Sequence, residues 1–354
     1  MGEHKYAELV LRLREEILSG KYVSGQKLPS ENQLSEETGY SRQTVRRAMS
    51  ILESEGLTNR VQGSGTYVRS ALPKREATRN IAVVTSYIGE YIFPAILQGI
   101  DHVLAGNGYT TLLMATRNRV DNERRILQDL LHKPIDGLIV EGTKTALPNP
   151  NIDMYDRFNE LNIPVVFFNG YYSNLKRPIY VVADDRAGGQ MACQALLDKG
   201  HTRIAGIFKS DDIQGHRRYA GYAEALRLAG LTVADDHVVW YTTESREGIL
   251  GSGIPQAVGG CTAVVCYNDE IAMQVLHRMG ISTPGQLDIA SFDYSTFAQF
   301  SPVPFLSLSS PKEDLGRMAA EKMLHILQGQ MEKPLILPWS TGREEVSASR
   351  ESGD

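Results

Sequence analysis

Apolar runs long enough to cross a membrane are missing from this chain of 354 residues. No run reaches the ~18 residues of a spanning helix, and the N-terminus lacks the apolar core of a secretory signal. Cysteine is scarce, and Cys193, Cys261 and Cys266 form neither an even set nor a cluster with histidine at metal-ligand spacing. We therefore expect a cytoplasmic protein with buried, reduced thiols, no membrane contact, no bound metal and no cofactor.

Common enzyme motifs are missing as well. The sequence contains no phosphate-binding G-x-x-x-x-G-K-[ST] loop, no G-x-S-x-G nucleophile turn and no zinc-spaced set of histidine and cysteine. With 42% hydrophobic and 22% charged residues, the composition is that of an ordinary globular protein. The length exceeds what one core usually holds, so it predicts two or three domains.

Charge is divided unevenly along the chain. Residues 1–75 carry 12 Lys and Arg against 9 Asp and Glu, whereas the remainder carries 25 against 33. A positive N-terminal segment on an acidic body suits binding of nucleic-acid phosphates by that segment alone.

Two short helices joined by a tight turn are predicted near the N-terminus, after an amphipathic helix over 6–18. Ser30 and Gln33 form a capping box, so a helix begins near residue 31 and stops at Gly39. Ser41 caps the next helix, whose apolar residues at 45, 48, 49 and 52 form an inward stripe. This is helix-turn-helix geometry, in which the first residues of the second helix reach base edges.

A polar, basic helix face and a glycine turn complete this arrangement. Arginines and Gln43 lie at the start of the second helix, and such side chains bind guanine and adenine bidentately. Residues 57–61 and 66–68 alternate as short strands around the turn at 62–65, which can approach a groove closely. A charged helix face alone is often merely solvated, so the prediction of DNA binding depends on the whole arrangement.

Over about 65 residues the arrangement resembles the winged helix-turn-helix domain of the GntR repressor family. The resemblance implies double-stranded operator DNA as the partner. The contacts would come from the start of the helix near residue 31, from the recognition helix that follows Ser41, and from the wing tip. The matching positions are Glu31, Asn32, Ser41, Arg42, Gln43, Thr44, Arg46, Gln62, Gly63 and Ser64, with Lys5 as a candidate phosphate contact. Glu31, being an acid, would accept from a cytosine amino group or orient an arginine.

Beyond residue 80 the pattern changes to apolar runs alternating with amphipathic segments. Residues 70–79 are polar and aperiodic, and we interpret them as a linker between domains over 1–69 and 80–354. The later pattern is typical of parallel sheets covered on both faces, here in two α/β lobes with a ligand cleft at the strands' carboxyl ends. The predicted strands span residues 81–85, 109–115, 137–140, 164–168, 180–183, 203–208, 263–267 and 288–292.

Polar side chains follow several of these strands and suit a monosaccharide. A sugar hydroxyl both donates and accepts, so carboxylates, amides and arginine can bind it while tyrosine rings cover its C–H face. Simpler alternatives exist: Asn268, Asp269 and Asp293 could cap the following helices or turns, Arg218 could lie on the surface, and the tyrosines could be core. Their convergence on one rim of the predicted sheets favours the pocket.

Residues 80–340 resemble the effector domain of the LacI/GalR family, which is related to periplasmic sugar-binding proteins. The resemblance is carried by G-H-T-R-I-A at 200–205, R-Y-A-G-Y at 218–222, C-Y-N-D-E-I-A at 266–272 and S-F-D-Y at 291–294. It implies that Arg218, Asn268 and Asp293 hold the effector. The implied fold is multidomain: an α+β winged helix-turn-helix head plus an α/β periplasmic-binding-protein-like body of two parallel-sheet lobes.

The pairing of these two parts, with Y-I-G-E-Y-I-F-P at 87–94, D-N-E-R-R at 121–125 and F-A-Q at 297–299, resembles the family of L-arabinose-responsive repressors. That resemblance implies a homodimer that binds operators of arabinose-utilisation genes and is released by L-arabinose in the interlobe cleft. The implied effector contacts are Tyr87, Glu90, Tyr91, Lys144, Asn169, Arg218, Asn268 and Asp293. A LacI-type hinge helix is absent from the sequence, and Tyr294 replaces the second acid common after Asp293.

Three alternatives stay open at this point. The chain could be a repressor for a different monosaccharide, since hydroxyl stereochemistry is not readable from sequence. A transport-associated sugar-binding protein would share the body but would need a signal peptide in place of the basic head. An α/β sugar-processing enzyme would need a nucleophile beside the acidic pocket residues, and none is evident.

Overall fold

The computed structural model describes residues 2–18, 21–23, 25–54, 57–61, 63–68 and 77–341. The chain forms two compact units, residues 1–78 and residues 79–354. Most of the predicted linker, residues 70–76, lies outside the described residues. None of the described helices is both long and apolar enough to cross a membrane.

The first unit is a three-helix head with a two-stranded wing. Its elements are α1 (Gly2–Leu18), α2 (Glu31–Thr38), α3 (Arg42–Ser54), β1 (Thr58–Val61) and β2 (Gly65–Val68), the two strands being antiparallel. The predicted capping box at the start of α2 is present, and Gly39 ends that helix with a φ of 68°. The predicted stripe of α3 is buried and packs on α1 and α2. Local capping and helical periodicity therefore account for this unit.

The second unit contains two α/β lobes. Its strands are β3 (Asn80–Thr85), β4 (Thr110–Ala115), β5 (Gly137–Val140), β6 (Val165–Phe168), β7 (Ile179–Ala183), β8 (Ile204–Lys209), β9 (Val238–Tyr241), β10 (Ala263–Cys266), β11 (Asp288–Phe292), β12 (Leu306–Ser309), β13 (Leu335–Leu337) and β14 (Ser340–Thr341). Its α-helices are α4 (Phe93–Gly106), α5 (Val120–Leu131), α6 (Ile152–Glu160), α7 (Asp185–Leu197), α8 (Ile213–Leu228), α9 (Arg246–Val258), α10 (Asp269–Arg278), α11 (Thr296–Gln299) and α12 (Lys312–Leu327).

Each lobe is built on one sheet. The N-lobe sheet has the order β13-β7-β6-β5-β3-β4 and is parallel throughout, whereas the C-lobe sheet, β14-β12-β11-β10-β8-β9, is parallel except for the β12–β14 pair. Along β3, Ile81 and Val83 pack on one face of the sheet while Ala82 and Val84 pack on the other. Burial on both faces explains the continuous apolar runs in the sequence. The predicted fold class is confirmed.

The chain passes between the lobes three times: from β7 to α7, from β12 to α12, and from β13 to β14. Neither lobe is therefore one continuous stretch of sequence. The eight predicted strands are all present with ends shifted by at most one residue, and β5 and β11 match in full. The strands that were not predicted are β9, β12, β13 and β14. β13 and β14 have only three and two residues, β9 lies at an edge of the C-lobe sheet, and β12 directly precedes a crossing.

Candidate functional site

The start of α3 presents polar side chains from a capped helix end. The Ser41 Oγ accepts from the Thr44 N–H at 3.2 Å and lies 2.8 Å from the Thr44 hydroxyl oxygen, as the predicted N-cap requires. Arg42, Gln43 and Arg46 are exposed. Arg47, the neighbouring cation, is exposed as well and lies over the ring of Tyr6, 4.2 Å from its centroid. The first two turns of the helix thus offer polar and basic side chains to a ligand.

Glu31 at the start of α2 contacts two arginines of the same unit. Its carboxylate lies 3.3 Å from Arg46 Nε and 3.4 Å from an Arg60 Nη on β1. Both arginines are more than half exposed, so each pair contributes at most about 1 kcal/mol to stability and leaves the arginine available. Of the two roles predicted for Glu31, the geometry matches the orientation of an arginine. Asn32 beside it is exposed.

The wing turn is built from glycines and small polar residues. Gly63 and Gly65 have positive φ angles of 78° and 134°, which other residues adopt at a cost. A Cβ at Gly65 would lie 2.6 Å from Lys27 Cε, so the glycine also makes room for that lysine. Ser64 Oγ lies 2.5 Å from the Tyr67 hydroxyl oxygen. Gln62 and the side chain of Lys5 lie outside the described residues.

Lys27 also belongs to the wing, because its backbone forms an isolated antiparallel β-bridge with Tyr67. It was not singled out from the sequence. Because it lies 38 positions before Gly65, no local motif links the two. The only sequence signal was its basic charge.

The cleft between the two lobes of the second unit contains a cavity of about 250 Å³. Seven predicted effector residues line it: Tyr87, Glu90, Tyr91, Asn169, Arg218, Asn268 and Asp293. They come from the carboxyl ends of strands in both lobes and from α8. Strand-end reasoning therefore brought together residues that are up to 206 positions apart.

Arg218 is buried and fixed on every side. Its Nε donates to Asp185 Oδ1 at 2.8 Å, its Nη1 donates to the Tyr267 carbonyl oxygen at 2.5 Å, and its Nη2 lies 3.9 Å from Asp293 Oδ1. The rings of Tyr267, Phe292 and Trp339 have centroids within 5.0 Å of the guanidinium carbon. The surface alternative for Arg218 is therefore wrong, and the side chain is preorganised to donate into the cavity.

Helix packing sets the position of Arg218. α7 and α8 approach so closely that a Cβ at Gly189 would lie 2.1 Å from the Arg218 carbonyl oxygen. Burial raises the pKa of the Asp185 carboxyl, although the charge of Arg218 opposes that effect. The pair is thus a buried ion pair whose partners depend on each other.

Asn169 follows β6 and is held by a buried acid. Its Nδ2 donates to Glu141 Oε1 at 2.6 Å, while Glu141 Oε2 accepts from the Ser86 N–H at 2.7 Å. Burial raises the pKa of Glu141, and the bonds from Ser86 and Asn169 oppose this rise. Asn169 also has a φ of 59°, and its carbonyl oxygen accepts from Gln214 of the other lobe at 2.9 Å.

Asn268 and Asp269 begin α10, and the two neighbours differ in role. The Asn268 Oδ1 accepts from the Ile271 N–H at 3.0 Å, so the capping alternative holds for this residue while it also lines the cavity. Asp269 is fully buried behind the cavity and accepts hydrogen bonds from serines. Burial, with a smaller effect of Asp293, raises the pKa of Asp269 to about 6.

Lys144 is not among the described residues that line the cavity. Its Nζ lies 2.6 Å from Glu244 and 3.9 Å from Asp211, both of the other lobe. The adjacent Thr145 does line the cavity, and its hydroxyl oxygen accepts from the Ile213 N–H at 3.0 Å. The loop after β5 therefore joins the lobes at the rim of the cleft, and Lys144 contributes to this closure.

Further charged and amide residues line the cavity that were not among the predicted contacts: Asn118, Glu141, Lys209, Asp212, Gln214, Arg246 and Glu270. Lys209 Nζ donates to Asp212 at 2.5 Å, and although burial opposes its charge, Asp212 and Asp211 raise the pKa of Lys209. Glu141, Asn118 and Asp212 follow strands closely, so the strand-end rule carried a signal for them. Among the described residues, no group of three His, Cys, Asp or Glu could hold a metal ion.

Comparisons with known proteins agree with both units. Residues 5–68 match the family model of bacterial regulatory proteins of the gntR family, and residues 193–341 match a periplasmic binding protein-like domain. The crystal structure of the transcription regulator CcpA of Lactococcus lactis superposes with a TM-score of 0.65 at 23% identity, covering 74% of this chain and 96% of that one. A CelR–cellobiose complex gives 0.65 at 22% identity, covering 88% and 98%. These likenesses show the fold.

Two curated relatives match nearly the whole chain. The arabinose metabolism transcriptional repressor of Geobacillus stearothermophilus is 36% identical over 337 residues, which are 92% of this chain and 91% of the relative. The repressor of the same name from Halalkalibacterium halodurans is 35% identical over 338 residues, 92% and 90% of the two chains. The chain is thus a transcriptional regulator and not an enzyme: it belongs to the family of these arabinose metabolism transcriptional repressors, in which a GntR-type head is joined to a periplasmic-binding-protein-like body.

Proposed function

We propose that this repressor binds operators of arabinose-utilisation genes as a homodimer and is released when L-arabinose enters the interlobe cleft, with no metal or cofactor required. The observation that carries the proposal is the convergence of Tyr91, Asn169, Arg218, Asn268 and Asp293 on one cavity of about 250 Å³. Arginine and amide groups donate to sugar oxygens, and carboxylates accept sugar hydroxyl protons. The names of the two relatives support arabinose as the sugar.

The cleft suits a ligand that binds both lobes at once. Tyr87, Glu90 and Asn169 belong to the N-lobe, while Arg218 and Asp293 belong to the C-lobe. A pentose with a hydroxyl on nearly every carbon can satisfy groups on both sides, and it therefore favours the closed arrangement over an open one. A differential affinity for the two states of about 1–3 kcal/mol is enough to couple the sugar to DNA binding.

Operator binding needs two heads. One winged helix-turn-helix domain buries too little DNA surface for operator-level affinity, whereas two heads on a symmetric dimer match two half-sites. The exposed first turn of α3, the wing turn and the arginines beside Glu31 are the surface we expect to contact DNA. Sugar binding would change the spacing or orientation of the paired heads and so weaken the complex.

The test is an anisotropy titration of the full-length protein on labelled promoter DNA from arabinose-utilisation genes. L-arabinose, D-arabinose, D-xylose, D-ribose and D-galactose are added separately, and calorimetry measures direct binding of each sugar. We expect L-arabinose to bind and to raise the operator Kd at least tenfold, with smaller effects of the other sugars. Release by another sugar instead would refute L-arabinose, and release by none would refute sugar control.

A further inference from the structure

We propose that Asp269, which is buried behind the cleft, is a positioning residue that sets effector affinity by holding the turn that carries Asp293. The inference rests on the proposed function, because it takes Asp293 as a ligand of the sugar. Asp269 itself is absent from the described residues that line the cavity. It acts through the backbone of the turn and through three serines.

The turn after β11 has an unusual backbone. Asp293 and Tyr294 have φ angles of 93° and 41°, so two consecutive residues with side chains occupy the left-handed region. Such conformations are costly for residues other than glycine and persist only where surrounding bonds enforce them. The position of the Asp293 carboxylate therefore depends on what holds this turn.

One carboxylate holds both ends of the turn. Asp269 Oδ1 accepts from Ser291 Oγ at 2.5 Å, before the turn, and Oδ2 accepts from the Ser295 N–H at 2.7 Å and Ser295 Oγ at 2.8 Å, after it. Ser307 of β12 links the middle: its Oγ donates to Asp269 Oδ1 at 2.6 Å and accepts from the Tyr294 N–H at 2.8 Å. Asp269 thus accepts four hydrogen bonds that together fix the strained segment.

The Asp269 carboxylate depends on its hydrogen-bond donors, as the charged groups around it show. Asp293 lies on the turn, Arg218 of α8 lies 3.9 Å from Asp293, and Tyr91 approaches from the other lobe. Within the described residues, no cation is in ion-pair distance of Asp269 itself. Its charge is therefore balanced by hydrogen-bond donors, and an amide in its place would put an NH₂ group opposite the donors of Ser291 and Ser307 or of Ser295.

The other lobe docks on the same turn. The Tyr91 hydroxyl accepts from the Asp269 N–H at 3.2 Å and donates to the Phe292 carbonyl oxygen at 3.3 Å. Tyr91 lines the cavity and also has a left-handed φ of 58°. A turn that is correctly held thus presents both the carboxylate for the sugar and the backbone acceptor for lobe closure.

The test compares the full-length wild type with Asp269→Asn, Tyr294→Gly and the double variant. The control is Asp288→Asn. Asp288 begins β11, the strand that leads into the turn, and its carboxylate pairs with Lys199 at 2.9 Å. Sugar Kd is measured by calorimetry and operator Kd by anisotropy without sugar. We expect Asp269→Asn to raise the sugar Kd at least tenfold while the variant still binds the operator, and Asp288→Asn to change neither Kd by more than twofold.

Glycine provides the readout that a merely structural role would not move. Glycine adopts a φ of 41° readily. Adding Tyr294→Gly to Asp269→Asn should therefore lower the sugar Kd at least threefold relative to Asp269→Asn alone. Wild-type sugar affinity in Asp269→Asn would overturn this inference but not the proposed function. A double variant that binds sugar no more tightly than Asp269→Asn would do the same. A wild type that binds no sugar would overturn the proposed function, and this inference with it.

Ser295 provides a second pair of variants should Asp269→Asn not fold. Ser295→Ala removes the hydroxyl that donates to Asp269 Oδ2, whereas Ser295→Thr retains it. We expect a weaker sugar affinity in Ser295→Ala and near wild-type affinity in Ser295→Thr. Equal affinities in the two variants would overturn the inference.

Discussion

Removing the guanidinium of Arg218 should destabilise the body far more than removing an exposed arginine from the same helix pair. Arg218→Met leaves Asp185, whose side chain is 3% exposed, without its 2.8 Å partner. Breaking a buried pair in this way costs about 3–5 kcal/mol, because the remaining charge is uncompensated. The double variant Arg218→Met/Asp185→Asn should cost less than the single one, since it removes both buried charges.

The matched control lies on the same two helices. Arg186 of α7 pairs with Glu224 of α8 at 2.8 Å, but the arginine side chain is 65% exposed. Arg186→Met should therefore cost no more than about 1 kcal/mol. Methionine keeps much of the apolar stem in both variants, so the difference between them reports the loss of the buried guanidinium with all its polar and ring contacts.

The assay is urea denaturation followed by tryptophan fluorescence. The two tryptophans of the chain, Trp240 and Trp339, both belong to the body, so the signal reports its unfolding and not that of the head. The centroid of the Trp339 ring lies 5.0 Å from the Arg218 guanidinium carbon, so the substitution changes the fluorescence of the folded state. Baselines for Arg218→Met are therefore fitted separately. Equal losses in Arg218→Met and Arg186→Met, or a double variant less stable than Arg218→Met, would refute the reasoning.

Three further predictions concern the head, the cleft and pH. Arg46→Ala should weaken operator binding by about 1–3 kcal/mol in anisotropy titrations if Arg46 reads a base, and unchanged affinity would remove it from the contacts. Asp293→Ala should retain operator binding and lose release by sugar; a variant still released would dismiss this carboxylate as a ligand. The pKa of Asp269 is raised to about 6 in the folded chain from an ordinary 3.8, so the fold binds more protons between these values. Its contribution to the free energy of unfolding should therefore fall by up to about 3 kcal/mol as pH rises from 4 to 6, and urea denaturation of Asp269→Asn should lack that slope. An unchanged slope would contradict the assignment.

Local signals predicted the elements that local physics determines. The capping box of Ser30 and the buried runs of β5 and β11 need only neighbouring residues, and these elements appear where the sequence indicated. β13 and β14 are two or three residues long and exist because the chain crosses between lobes, which no window of sequence reveals. The fold was therefore predictable except at its crossings and at β9, an edge strand of the C-lobe sheet.

The candidate site was predictable to the strand end but not to the individual residue. Asn268 lines the cavity while Asp269 beside it is buried behind, and Thr145 lines it while Lys144 joins the lobes. Adjacent residues at a loop or helix start point in different directions, and the direction depends on φ values such as the 47° of Lys144. The pairing of Asn169 with Glu141 depends on which strands are neighbours in the sheet, and the sequence does not reveal that strand order.

The interleaved path of the body also bears on how such regulators can be rebuilt. Because the chain enters each lobe more than once, no single cut yields a complete lobe, and a transplanted lobe would have to arrive as separate pieces. The boundary between residues 78 and 79, by contrast, separates two continuous segments. One recombination event at this boundary can thus join a whole body to a new DNA-reading head, whereas exchange of a single lobe would need more than one join.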